Sequence, residues 1–183
     1  ALRNDIEVVV DEKFEFLDKF LEIYHGTMKK NNADNYYFFS KTFFEFIKNS
    51  LNKNFVVFIS KKNKRIISVE LAIYDKDIIY SFLGGTLSEY FQFRPNNLLK
   101  HKLILWAKEK NIKYYLLGGG YSSEDGIFKY KHSFSKDGVK DFFVGRKIHN
   151  KDIYKKLVKE WKIKNELGKE YNSNYFPLYR CKL

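Results

Sequence analysis

This 183-residue chain is short of cysteine, proline, tryptophan and methionine, with one, two, two and one of each. A lone cysteine, Cys181, excludes an intrachain disulfide and fits a reducing compartment. No apolar run approaches the ~20 residues of a membrane-spanning helix. No signal peptide is visible, so a cytoplasmic location is expected. His25, His101, His132 and His149 show neither HExxH nor zinc-ligand spacing, and no metal site is expected. A G-x-S-x-G nucleophile elbow is also missing, which removes one familiar route to a covalent enzyme intermediate.

Aromatic residues and positive charge are abundant. There are 18 Phe and 14 Tyr, the formal net charge is +12 and the sequence pI is near 9.5. Such a charge favours anionic partners, nucleic acid and pyrophosphate among them, although a solvated lysine-rich face accounts for it equally well. The length suits one domain, spanning residues 1–183, with residues 165–183 as a tail packed on it.

The hydropathy pattern predicts a short strand at Ile6–Val10. A helix follows with Asp11 as its cap and Phe14, Leu17, Leu21, Tyr24 and Met28 on one face. Ser40 is expected to cap a second helix that turns Phe43, Phe44, Ile47 and Leu51 inward. Phe55–Ser60, Ile66–Tyr74 and Ile78–Leu83 are joined by short polar turns and read as an antiparallel meander. Pro95 suits the first turn of a third helix, with Leu99, Leu103 and Trp106 buried. A strand at Tyr114–Leu117 follows. Ser122-Ser123-Glu124-Asp125 then resembles a capping box before a short helix. Val139–Gly145 reads as a last strand and Asp152–Lys164 as a terminal helix.

The most informative stretch is Leu116-Leu117-Gly118-Gly119-Gly120, followed by Phe128-Lys129 and closed by Phe134. Three consecutive glycines at a strand end cost backbone entropy, so the chain turns sharply there or something approaches its backbone closely. Exposed N–H groups at Gly118, Gly119 and Gly120 would suit an oxygen or a phosphate. Upstream, Gly84-Gly85 follows the meander, and Arg94-Pro95-Asn96-Asn97 opens the third helix, a natural phosphate cradle. Capping and a turn explain that junction equally well.

The element order resembles the GNAT (N-acetyltransferase-like) fold, a central mixed, largely antiparallel α/β sheet flanked by helices. The triple glycine, Phe128-Lys129, the stretch Met28…Tyr36-Tyr37-Phe38-Phe39 and the closing Phe-Pro-Leu-Tyr-Arg make it similar to the Fem-type aminoacyltransferases, the FemABX peptidoglycan bridge-forming group. The likeness runs from about Ile6 to Arg180. It implies transfer of an aminoacyl group from aminoacyl-tRNA, a co-substrate rather than a tightly bound cofactor, to an amine of a peptidoglycan precursor. It further implies a paired N-terminal GNAT-like domain outside this chain, and work at the inner face of the membrane.

By this resemblance Lys129 and Phe128 fall on the family's Phe-Lys pair at the transfer site. Gly118, Gly119 and Gly120 fall on its strand-end loop. Tyr36 and Tyr37 would face the cleft, and Arg94 and Asn96 would contact donor or substrate. Lys61, Lys62, Lys64, Lys129 and Lys131 would draw in a tRNA backbone. Other members of the wider fold use acyl-CoA, which is the alternative donor. Against it, the loop Thr86–Phe93 lacks the glycines of an acetyl-CoA pyrophosphate loop. A non-catalytic half-domain is the third reading.

Overall fold

The computed structural model describes residues 2–120, 125–168, 170–171 and 173–181. It divides into two compact units, residues 1–135 and 136–183. In the first unit five strands form one sheet in the order β1 (Ile6–Asp11), β2 (Phe55–Lys62), β3 (Arg65–Tyr74), β4 (Ile78–Thr86) and β5 (Tyr114–Leu116). The first four are antiparallel and β5 joins parallel to β4. The crossover between β4 and β5 is made by α3 (Pro95–Glu109), as a parallel pair requires.

Two helices, α1 (Leu17–Lys30) and α2 (Lys41–Leu51), connect β1 to β2. Helices on both faces explain why β2 is apolar without alternation from Phe55 to Ile59. Phe55, Val57 and Ile59 pack with Phe20, Ile23, Tyr24 and Phe44 in one core cluster. Val56 and Phe58 pack with Leu99, Leu103 and Trp106 in a second. Pro95 stands at the start of α3, where its missing N–H costs nothing. Ser40 caps α2 by accepting from the Phe43 N–H.

Helix α1 begins five residues later than its pattern suggests, with Phe16 rather than Asp11 at its N-cap. Asp11 ends β1 instead, buried, and accepts from the Lys13 and Phe16 N–H groups across a turn. Phe14 has φ +55° inside that turn, a conformation no helix contains, and its ring is still fully buried. Gly84 and Gly85 do not follow the meander but lie inside β4.

In the second unit α5 (Lys151–Lys164) is capped by Asn150. The expected strand at Val139–Gly145 is not formed. Phe142 and Phe143 are 90% and 86% exposed, and no described strand of residues 136–183 offers a ladder to pair with. β propensity alone does not make a strand without a partner. Among the described residues no helix is long and apolar enough to cross a membrane.

Candidate active site

The pairing of β4 with β5 is brief. Ile78, Ile79 and Tyr80 oppose Tyr114, Tyr115 and Leu116, and there the ladder ends. β4 runs on to Thr86 with β3 as its only strand partner among the described residues, while β5 turns into Gly118-Gly119-Gly120. Along β3 the register slips: Leu71 opposes Leu83 and Ala72 opposes Ser81, leaving Phe82 as the extra residue of a bulge. A bulge breaks the ladder locally and re-aims the groups around it. The two strands therefore open a notch lined on one side by unpaired β4 backbone.

The glycines on β4 have a packing reason. A Cβ on Gly85 would meet the Thr27 hydroxyl at 2.5 Å and the Ile23 carbonyl oxygen at 2.8 Å, because α1 crosses the strand there. A Cβ on Gly84 would lie 2.6 Å from the Val69 carbonyl oxygen. Gly85 thus serves the helix–sheet contact, and Gly84 the close approach of β3. The strand-end glycines differ. Gly118 has φ +71°, a Cβ on Gly119 would meet nothing within 4 Å among the described residues, and Gly120 abuts the Asp125 carboxylate.

Helix α4 (Gly126–His132) begins with Asp125 as its cap, the carboxylate accepting from the Phe128 N–H at 2.7 Å. The rest of the expected capping box, Ser122–Glu124, lies outside the described residues. Phe128 is half-buried and stacks on His132 at 5.6 Å, and Lys129 is exposed. The lysine over the glycines is Lys131. Its Nζ donates to the Gly119 carbonyl oxygen at 2.7 Å and would lie 3.5 Å from a Cβ on Gly118. Burial, then the positive charge of Lys100, hold the Lys131 amine below the usual lysine range.

Beneath the notch lies a charged cluster. Glu70 on β3 and Lys100 on α3 are both buried, with Nζ at 2.8 and 3.0 Å from the two carboxylate oxygens. Ser81 and Tyr115 hydroxyls donate to the same carboxylate at 2.6 and 2.8 Å. Burial and the neighbouring Glu70 carboxylate push the Tyr115 phenol far up. The Tyr130 phenol on α4 is raised by the same two causes, and among the described residues its buried hydroxyl has no hydrogen-bond partner. One carboxylate thus ties together β3, β4, β5 and α3 where the strands separate.

The other expected site residues are scattered around this centre. Tyr36 and Tyr37 sit in the turn between α1 and α2, exposed, with their rings edge to face at 5.4 Å. Their backbone is clamped from α1: Tyr24 donates to the Tyr37 carbonyl oxygen, and the His25 ring bonds that of Phe39. Arg94 has φ +51° at the N-cap of α3 and is exposed, and Asn96 is half-buried in the first turn. The stretch before it is a 3₁₀ turn over Ser88–Phe93, not an open phosphate loop. Lys61 and Lys62 do not form a free cationic patch. Lys61 lies over the Phe16 ring, and Lys62 donates to the Asn4 carbonyl oxygen and lies over Phe93.

Glu70, Lys100, Ser81 and Tyr115 were not legible as a site from the sequence. The available signal was charge in the wrong place. Glu70 breaks the apolar run Ile66–Tyr74, and Lys100 directly follows Leu98 and Leu99 on the buried side of its helix.

A mixed sheet whose parallel pair separates after three residues, with a glycine strand end and a buried polar centre below it, is the frame of a GNAT-type acyltransferase. The family model described as acetyltransferase (GNAT) domain matches residues 1–132, and the chain belongs to that family. No curated protein sequence matches. Among solved structures, a possible acetyltransferase from Clostridium difficile 630 is similar at TM-score 0.59 and 12% identity, over 79% of this chain and 99% of that one. An aminoglycoside acetyltransferase from an uncultured soil metagenomic sample, solved with sisomicin, is similar at TM-score 0.58 and 13% identity, over 82% and 100%. The aminoglycoside N-acetyltransferase AAC(6')-Iy, solved with CoA, is similar at TM-score 0.52 and 14% identity, over 79% and 95%. These likenesses establish the fold.

Proposed function

We propose that this acyltransferase domain moves an acyl group from an acyl-CoA to a primary amine in the notch between β4 and β5. The observation that carries the reading is the ladder that stops at Tyr80 and Leu116 while β4 continues to Thr86. An extended donor arm can add to such an edge as a strand does, through main-chain hydrogen bonds. The bulge at Phe82 loosens the β4 ladder beside that arm, where a freed N–H would meet the oxygen that becomes negative as the amine attacks. Arg94, exposed at the head of α3, would meet the phosphates of the donor. The CoA and sisomicin complexes of the fold's neighbours agree with this donor and with an amine acceptor.

A second reading has its own observations: the triple glycine with Phe128-Lys129, and the net charge of +12. In it the chain is a Fem-type domain that takes an aminoacyl group from aminoacyl-tRNA and passes it to a peptidoglycan-precursor amine. Phe128 and Lys129 would then stand at the transfer site, beside a paired GNAT-like domain. One titration separates the readings. Thermal shift and binding are measured with CoA and with charged tRNA at low and moderate salt. Stabilisation by CoA, with acetyl transfer from acetyl-CoA to an amine, supports the first. Salt-sensitive binding of charged tRNA and silence toward CoA replace it with the second.

A further inference from the structure

Resting on the amine-acylation reading above, we propose that the Lys131 amine takes the proton from the acceptor's ammonium, with Lys100 as the fixed positioning charge behind it. An ammonium has no lone pair, so transfer cannot begin until the acceptor loses a proton. Lys131 is seated for this. Its Nζ is held by the Gly119 carbonyl oxygen at 2.7 Å and lies against Gly118, at the strand end where the notch opens.

The surroundings favour a neutral amine there. Lys131 is half-buried, and Lys100 adds positive charge that its own partners hold in place. Glu70 and Asp125 pull the other way. Glu70 is already engaged by Lys100, Ser81 and Tyr115, and Asp125 by the Phe128 N–H. Among the described residues, the Tyr115 and Tyr130 phenols, both held neutral, and Lys129 and His132 on the same helix are the other titratable groups around it. Burial and Lys100 prevail, and the resulting direction is downward.

The step balances. The acceptor R–NH3+ gives one proton to the Lys131 amine. R–NH2 attacks the thioester carbonyl, the N–C bond forms and the C–S bond breaks. The thiolate leaves and takes the proton back from Lys131, and the new amide nitrogen releases its extra proton to water.

Trace acetic anhydride labelling of the full chain from pH 7 to 11, resolved by lysine in mass spectrometry, tests the state of Lys131 without any turnover. Lys131 is expected to titrate below the exposed Lys108 and Lys129, and to move toward them in Lys100→Met. Titration of Lys131 together with Lys108 and Lys129 would overturn the proposal. Acetyl-CoA turnover with a primary amine tests the role. Lys131→Arg keeps a donor for Gly119 but cannot accept a proton, so kcat/KM should fall about 10²–10⁴-fold and its rising limb with pH should vanish. A Lys131→Arg enzyme with wild-type rate and pH profile would also overturn it. Wild-type protein that ignores acetyl-CoA, yet shows the anomalous labelling, would sink the donor assignment and leave the Lys131 assignment standing.

Discussion

The Lys100 ammonium lies 2.8 and 3.0 Å from the two carboxylate oxygens of Glu70, with both side chains 5% exposed or less. Burying two charges is costly, and the pair persists because Ser81 and Tyr115 supply further donors to the same carboxylate. Its position under the separating strands makes it a tie between α3 and the sheet.

Breaking that tie from one side should be worse than removing it. Glu70→Gln or Lys100→Met alone leaves a buried group without its partner and is expected to cost about 3–5 kcal/mol. The joint Glu70→Gln/Lys100→Met protein should recover a large part of the loss. Urea unfolding of the four proteins measures this as a double-mutant cycle, and simple additivity of the two losses would disprove the coupling.

Two glycines with opposite surroundings give a second test. Gly85→Ala forces a methyl group onto the Ile23 backbone and the Thr27 hydroxyl, so α1 must move off β4 at a cost of about 1–3 kcal/mol. Gly119→Ala meets nothing within 4 Å among the described residues and should fold with stability changed by no more than about 0.5 kcal/mol. Melting temperatures of the two variants settle the contrast.

Alkaline pH provides a third. Burial pushes the Tyr24 phenol up to about 12 from its ordinary 10, with the nearby Tyr37 phenol as the smaller cause. A raised folded value means that the unfolded chain loses the proton first. The stabilisation is therefore complete below pH 10 and is lost as pH rises toward 12, on the order of 2–3 kcal/mol. Tyr115 and Tyr130 act in the same direction. Tyr24→Phe should flatten the decline between pH 10 and 12 without abolishing it. At neutral pH it should cost about 1 kcal/mol, for the hydrogen bond to the Tyr37 carbonyl oxygen. Denaturant midpoints across that range give the comparison.

Local pattern carried much of the fold. The meander, the Ser40 cap, Pro95 at the head of α3 and the inward faces at Phe44, Ile47, Leu99, Leu103 and Trp106 all followed from spacing, capping and turn chemistry. Those are interactions within a few residues of one another, and they are legible in one dimension. The start of α1 was misread because Phe14 is apolar in step with the helix yet sits at positive φ, buried by tertiary packing. Val139–Gly145 was misread because a strand exists only with a neighbour.

The sequence by itself determined the element order through β5, the glycine strand end and the choice of acyltransferase fold. Only the tertiary structure decided which lysine stands over Gly118 and Gly119, because Lys129 and Lys131 differ by two positions on one short helix and so point in different directions. It alone revealed that Gly84 and Gly85 serve packing and that Glu70 and Lys100, 30 residues apart, share one buried site. Contacts between distant segments depend on how the helices dock on the sheet, and no local periodicity encodes that.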